Sequence, residues 1–107
     1  MVVSNISATQ LKEMLLKEEG IKLIDVREKW EYNIARINGS DLVPVKTFTE
    51  YSKNLNVEDK IVVYCHMGSR SYSVCQFLIQ NGFKNIYNLE GGINAWSLEV
   101  DNLFPLY

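Results

Sequence analysis

The 107-residue chain is poor in cysteine and histidine: it has two of the first, Cys65 and Cys75, and only His66 of the second. Two thiols are too few for a disulfide framework, and without a CxxC pair or a Cys/His cluster no structural zinc site is expected. Long apolar runs are missing, and the opening MVVSNISATQLKEMLLKEEG has no basic segment followed by an uninterrupted apolar one. That predicts a cytoplasmic protein with no membrane partner. Strong charge is missing as well: the net value is -2, with no long basic run, which gives no footprint for nucleic acid. No repeat, low-complexity tract or linker divides residues 1–107, which read as one domain. Hydrophobic residues at 47% and charged residues at 22% are ordinary for a folded chain. At this length roughly two-thirds of the unfolded surface is buried on folding, enough for a modest core without metal or disulfide.

What is present is an alternation of strand and helix signals. SATQ at 7–10 fits a capping box, with Ser7 as N-cap and Gln10 reaching back; Leu11, Met14 and Leu15 then mark one apolar helical face that Gly20 closes. IKLIDV, 21–26, predicts a buried strand. The charged REKWEYNIARI predicts a short helix carrying Trp30 and Ile34, followed by a turn through Asn38 and Gly39 into a second strand around 41–45, which Pro44 places at a sheet edge. Phe48, Tyr51 and Leu55 stand at helical spacing, and KIVVY, 60–64, is the clearest buried strand. Val74, Phe77 and Leu78 form the stripe of a further helix stopped at Gly82; NIYNL then reads as a strand and GGINAW as a turn into a last helical piece. The pattern predicts an α/β domain with a mostly parallel central sheet and helices on both faces. Ligands in such folds gather outside the carboxyl ends of the strands.

Cys65 sits at that end of its strand, in VVYCHMGSRSYSVCQF, just before a helix beginning near Arg70. A strand, tight loop and helix N-terminus offer unpaired amides and the positive end of a dipole, both of which stabilise a thiolate. Gly68 allows the loop a backbone conformation that a Cβ would resist, so successive amides turn inward around an anion. The alternative is that Cys65 is a small buried hydrophobe. A packing cysteine needs neither a glycine three residues on nor an arginine five residues on, so Cys65 reads as a nucleophile active near neutral pH.

Three pieces carry a family resemblance: LIDVREKWEY at 23–32, YCHMGSRS at 64–71 and IYNLEGGINAW at 86–96. In this order, over nearly the whole chain, they resemble the single-domain rhodaneses of the rhodanese-like sulfurtransferase family. The ending GGINAWSLEVDNLFPLY is similar to the tail of rhodanese domains attached to enzymes that activate sulfur-carrier proteins. The resemblance implies a transferase in which Cys65 takes a sulfane sulfur from thiosulfate or a persulfide, becomes a persulfide itself, and passes the sulfur to cyanide, a thiol or a protein. It implies no cofactor and no metal, a role in sulfur metabolism, and a monomer or weak dimer. The amides of His66, Met67, Gly68, Ser69 and Arg70 would hold the persulfide charge, with Arg70 either binding the donor's anionic group or bracing the loop. With amides inward, His66, Met67 and Ser69 would form the rim.

Asp25 and Arg27 occupy positions the family keeps for scaffolding beside the site, and Trp30 and Trp96 read as core or rim packing. Cys75, ten residues past Cys65, reads as a core residue in preference to a resolving thiol. The chain departs from the family at ARINGSDLV, where Ala35 and Arg36 precede Ile37 and Ser40 follows Gly39. Two other functions compete. Cysteine phosphatases and arsenate reductases use CxxxxxR, one residue longer than the loop from Cys65 to Arg70, and the tighter ring leaves less room for a tetrahedral phosphate. Non-catalytic or sulfur-carrier interaction modules share the fold, but the non-catalytic ones commonly lack the cysteine retained here.

Overall fold

In a computed structural model of the chain, residues 3–101 and 106–107 are described. The Ser7 hydroxyl accepts from the Gln10 amide at 3.1 Å, and the Gln10 side chain accepts from the Ser7 amide at 2.8 Å. This capping box starts α1 (Ala8–Lys17). Five strands, β1 (Ser4–Ile6), β2 (Lys22–Asp25), β3 (Asp41–Leu42), β4 (Lys60–Tyr64) and β5 (Asn85–Leu89), form one parallel sheet in the order β1-β5-β4-β2-β3. The remaining helices are α2 (Lys29–Ile34), α3 (Val45–Ser52), α4 (Ser69–Gln80) and α5 (Gly92–Glu99).

The central strand explains why both faces are covered. Side chains alternate along β4. Ile61, Val63 and Cys65 join one core with Phe48 of α3 and Val74, Cys75 and Leu78 of α4, while Val62 and Tyr64 join the other with Leu11 of α1 and Ile93 and Trp96 of α5. A strand buried on both sides reads as an unbroken apolar run, and each such Val or Ile contributes about 1.5–3 kcal/mol on burial. KIVVY was legible for that reason. Cys65 leaves the carboxyl end of this strand, which pairs with β2 on one side and β5 on the other.

Four expectations shift. The sheet gains β1, a three-residue edge strand with two exposed residues, which has too short an apolar run to be seen in sequence. The second strand stops at Leu42 rather than 45: the amides of Val43 and Val45 still donate to the Asp25 and Val26 carbonyls at 2.7 and 3.2 Å, but the chain already turns at Pro44, the N-cap of α3; β3 does take the edge position. Helix α1 ends at Lys17 with Glu18 extended, before Gly20 is reached. Leu55 lies past the end of α3, packed against the core from a turn. Helix α4 keeps to expectation: it begins at Ser69, beside Arg70, and Gly82 at φ +90° follows its C-cap Asn81 as the C′ stop.

Candidate active site

Strand β4 delivers Cys65 into a buried position at the foot of α4, with 1% of its surface exposed. Three donors face its sulfur: the Gly68 amide at 3.1 Å, the Ser71 amide at 3.4 Å and the Ser71 hydroxyl at 3.3 Å. Gly68 is the N-cap of α4 at φ +110°, a region that side chains with a Cβ rarely enter. The inward amides on sulfur are thus those of Gly68 and Ser71, the latter one residue beyond the loop 66–70 expected from sequence. Negative charge on sulfur also lies at the positive end of a twelve-residue helix.

Two further devices hold the loop. The amides of Ile93 and Asn94, in the first turn of α5, donate to the carbonyls of Cys65 at 2.9 Å and His66 at 3.2 Å, turning those carbonyls away from the sulfur. This close approach needs Gly92, where a Cβ would lie 2.4 Å from each of the same two carbonyl oxygens. On the other side, Asn88 of β5 donates through Nδ2 to Asn5 Oδ1 at 3.0 Å and to the Gly68 carbonyl at 3.2 Å. That fixes its Oδ1 as an acceptor for the Ser71 hydroxyl, 2.5 Å away. The Ser71 proton therefore has three acceptors in reach, Asn88 Oδ1, Cys65 Sγ and the Gly68 carbonyl. Held on Asn88 it leaves a lone pair for a thiol; turned to sulfur it serves a thiolate.

Arg70 forms a two-point pair with Glu31 of α2, Nη1 to Oε1 at 2.7 Å and Nη2 to Oε2 at 2.9 Å. Glu31 is buried, and the Arg70 bond holds its carboxyl down at about 2, against the cost of burial. Its Oε1 also accepts from the Glu28 amide at 3.0 Å, and its Oε2 from the Tyr107 hydroxyl at 2.8 Å. Arg70 is therefore tied across the loop to the neighbouring segment.

That segment is anchored by Asp25 and Arg27, both wholly buried. Arg27 Nε and Nη2 donate to the two Asp25 oxygens at 2.9 and 2.8 Å, Nη2 also donates to the Ala35 carbonyl, and Nη1 donates to the Tyr107 hydroxyl at 2.6 Å. Burial disfavours the Arg27 charge, but the Asp25 bonds outweigh it and keep the guanidinium protonated. The departing stretch 35–40 is held by Tyr64, whose hydroxyl accepts from the Ile37 amide at 3.2 Å and lies 2.9 Å from Ser40 Oγ. Because Ser40 Oγ donates to the Ile37 carbonyl at 2.7 Å, Tyr64 is the donor in that contact.

The rim residues expected from sequence divide. Met67 and Ser69 are exposed, whereas His66 is half-buried and stacks on Tyr107 with ring centroids 4.0 Å apart and planes 8° from parallel. Trp30 is 59% exposed and meets the Tyr107 ring edge-on at 5.8 Å, while Trp96 is core. Cys75 is buried in the α4 core; its thiol lies 3.6 Å from the Tyr87 carbonyl, and burial pushes it up to about 12. Among the described residues no cluster of three or more His, Cys, Asp or Glu side chains could hold a metal ion, and no helix is long and apolar enough to cross a membrane.

A family model for the rhodanese-like domain matches residues 7–99. The chain belongs to the rhodanese-like domain family. Among its relatives, a thiosulfate sulfurtransferase GlpE of Coxiella burnetii is 35% identical over 82 residues, covering 77% of each chain. A sulfurtransferase of Allochromatium vinosum is 30% identical over 96 residues and 90% of each chain. A rhodanese-like/PpiC domain-containing protein 12 of Arabidopsis thaliana is 41% identical over 90 residues, 80% of this chain; this chain spans only 30% of that protein's length, and 32% of a Protochlamydia amoebophila tRNA uridine(34) hydroxylase. The crystal structure of a rhodanese-like domain protein from Staphylococcus aureus superposes with a TM-score of 0.83 at 28% identity, over 98% of this chain and 99% of that one. These rhodanese relatives support a sulfurtransferase family and a rhodanese-like fold.

Sequence reasoning had not assigned roles to Glu31, Ser71, Asn88, Gly92 or Tyr107. Ser71 and Glu31 stand inside the stretches that carried the resemblance, so position alone could have flagged them. Asn88 and Tyr107 meet partners 17 and up to 80 residues away along the chain, a pairing no local pattern records.

Proposed function

We propose that the protein is a sulfurtransferase that carries sulfane sulfur as a persulfide on Cys65. The observation that carries this reading is the set of three donors on Cys65 Sγ from Gly68 and Ser71. The Cys65 thiolate attacks the outer sulfur of a donor R–S–S⁻ or of thiosulfate. A sulfur–sulfur bond forms as the donor's own breaks, and the bonding pair leaves on the thiolate or on sulfite. The new persulfide anion takes the place of the thiolate in the same field of donors. A cyanide or thiolate acceptor then attacks the terminal sulfur, and the Cys65 thiolate is the leaving group. Nothing in the cycle needs a metal or an organic cofactor.

The Arg70 pair with Glu31 supports bracing as the role of that arginine, with its charge already neutralised by a carboxylate. A small dianion therefore gains little at this mouth, which favours a thiol-borne persulfide over thiosulfate as donor. Loop length supports sulfur over phosphorus, and the donor set on Cys65 supports chemistry over a purely binding module. Steady-state assays with cyanide as acceptor test the proposal. A higher kcat/KM is expected with glutathione persulfide than with thiosulfate, and none with Cys65→Ser. Cys65-dependent hydrolysis of p-nitrophenyl phosphate without sulfurtransfer would overturn it.

A further inference from the structure

Tyr107 lies beside Arg27, Glu31 and His66, and residues 102–105 before it lie outside the described residues. Its hydroxyl accepts from Arg27 Nη1 at 2.6 Å and donates to Glu31 Oε2 at 2.8 Å, and burial pushes it up to about 12, so it keeps the proton this bridge requires. The other bond from that Arg27 nitrogen, to the Glu31 carbonyl, is long at 3.4 Å. Tyr107 therefore supplies the strong partner of a buried guanidinium nitrogen. Its ring lies flat on His66 and under the edge of Trp30.

These contacts place one residue against both ends of the reactive loop. His66 is the first residue after Cys65 and touches Tyr107 directly; Arg70 is the last before Ser71 and reaches Tyr107 through the shared carboxylate of Glu31. We propose that Tyr107 is a specificity-determining residue: with the His66 ring it forms a fixed wall beside Cys65 that admits an unbranched sulfur terminus, such as the S–S⁻ end of a thiol-borne persulfide, and hinders reagents that carry a bulky group next to the reacting atom. The wall is rigid because the ring is clamped at its hydroxyl end by two charged groups and across its face by an imidazole. Tyr107 itself is uncharged because it keeps its proton, and Arg70 faces Glu31. The inference rests on Cys65 as the reacting sulfur, but its test does not depend on sulfurtransfer.

His66 is the only histidine in the chain, so its imidazole protons give single, assignable NMR signals. Stacking on Tyr107 shifts them upfield in the wild type and in Tyr107→Phe, and the shift disappears in Tyr107→Leu. In parallel, Cys65 is alkylated with N-methylmaleimide and with N-cyclohexylmaleimide, the adduct being located by peptide mass. Tyr107→Leu is expected to raise the cyclohexyl-to-methyl rate ratio about threefold or more, the scale of one lost aromatic pair. Tyr107→Phe keeps the ring on His66 but loses the hydroxyl clamp, so its ratio is expected to fall between those of wild type and Tyr107→Leu. His66→Ala leaves the Arg27 bond in place while removing the other half of the wall, so it must raise the ratio as well even if Tyr107→Leu folds poorly. An unchanged ratio in His66→Ala, or His66 signals that do not move between wild type and Tyr107→Leu, would overturn the proposal. A wild type that forms no persulfide would sink the sulfurtransferase reading and leave this one standing.

Discussion

Replacing Glu31 by glutamine keeps its shape and removes its charge. The carboxylate accepts four hydrogen bonds, two from Arg70, one from the Glu28 amide and one from the Tyr107 hydroxyl. Either orientation of a glutamine amide puts its NH2 against an Arg70 nitrogen, donor to donor. The size of the loss follows from linkage. The Arg70 bonds above all, with those from the Glu28 amide and the Tyr107 hydroxyl and against the cost of burial, lower the Glu31 carboxyl from the ordinary 4.5 to about 2. At ~1.4 kcal/mol per pH unit this corresponds to about 3 kcal/mol of folded-state stability. The Arg70 side chain is 39% exposed, and solvent screening of its charge reduces the figure to about 2 kcal/mol. The sign is that of a depressed acid: the stabilisation is complete above pH 4.5 and is lost as pH falls toward about 2. Urea unfolding of wild type and Glu31→Gln at neutral pH, pH 5 and pH 3 reads this directly. The gap between the two proteins should stay level from neutral pH to pH 5 and have lost more than half its size by pH 3. A gap that is negligible at neutral pH, or that does not narrow on acidification, would refute the brace.

Gly92→Ala should cost about 3 kcal/mol in urea unfolding, from a left-handed backbone and a Cβ driven into the Cys65 and His66 carbonyls, and should abolish sulfur loading. Tyr64→Phe leaves the buried Ile37 amide without its acceptor and should lower stability by about 1–3 kcal/mol in the same assay, with sulfur loading of Cys65 retained. Cys75→Ala should form the persulfide as the wild type does, because a buried thiol pushed up to about 12 holds no thiolate near neutral pH; loss of loading, followed by intact mass, would give Cys75 a part in transfer.

Much of this fold was legible because its strongest signals are local. The capping box at Ser7, the apolar run of β4 and the edge proline after β3 each encode their structure within a few residues. The candidate site's strand–loop–helix frame was legible for the same reason, since strand, Cys65, Gly68 and helix follow one another within a few residues. What was hidden is what the fold brings together from a distance. Arg70 had two readings in sequence because its partner, Glu31, lies on another helix. Asn88 looked like an ordinary strand residue until β5 placed it beside Ser71. Edge strand β1 was missed because its three residues carry little apolar pattern and gain their place by pairing with β5.

Intact mass after incubation with glutathione persulfide tests the central claim most directly. Wild type and Cys75→Ala should each gain the mass of one sulfur atom, removed by cyanide, while Cys65→Ser gains none. A cyanide-labile sulfur that persists in Cys65→Ser, or no added sulfur on the wild type, would contradict the account.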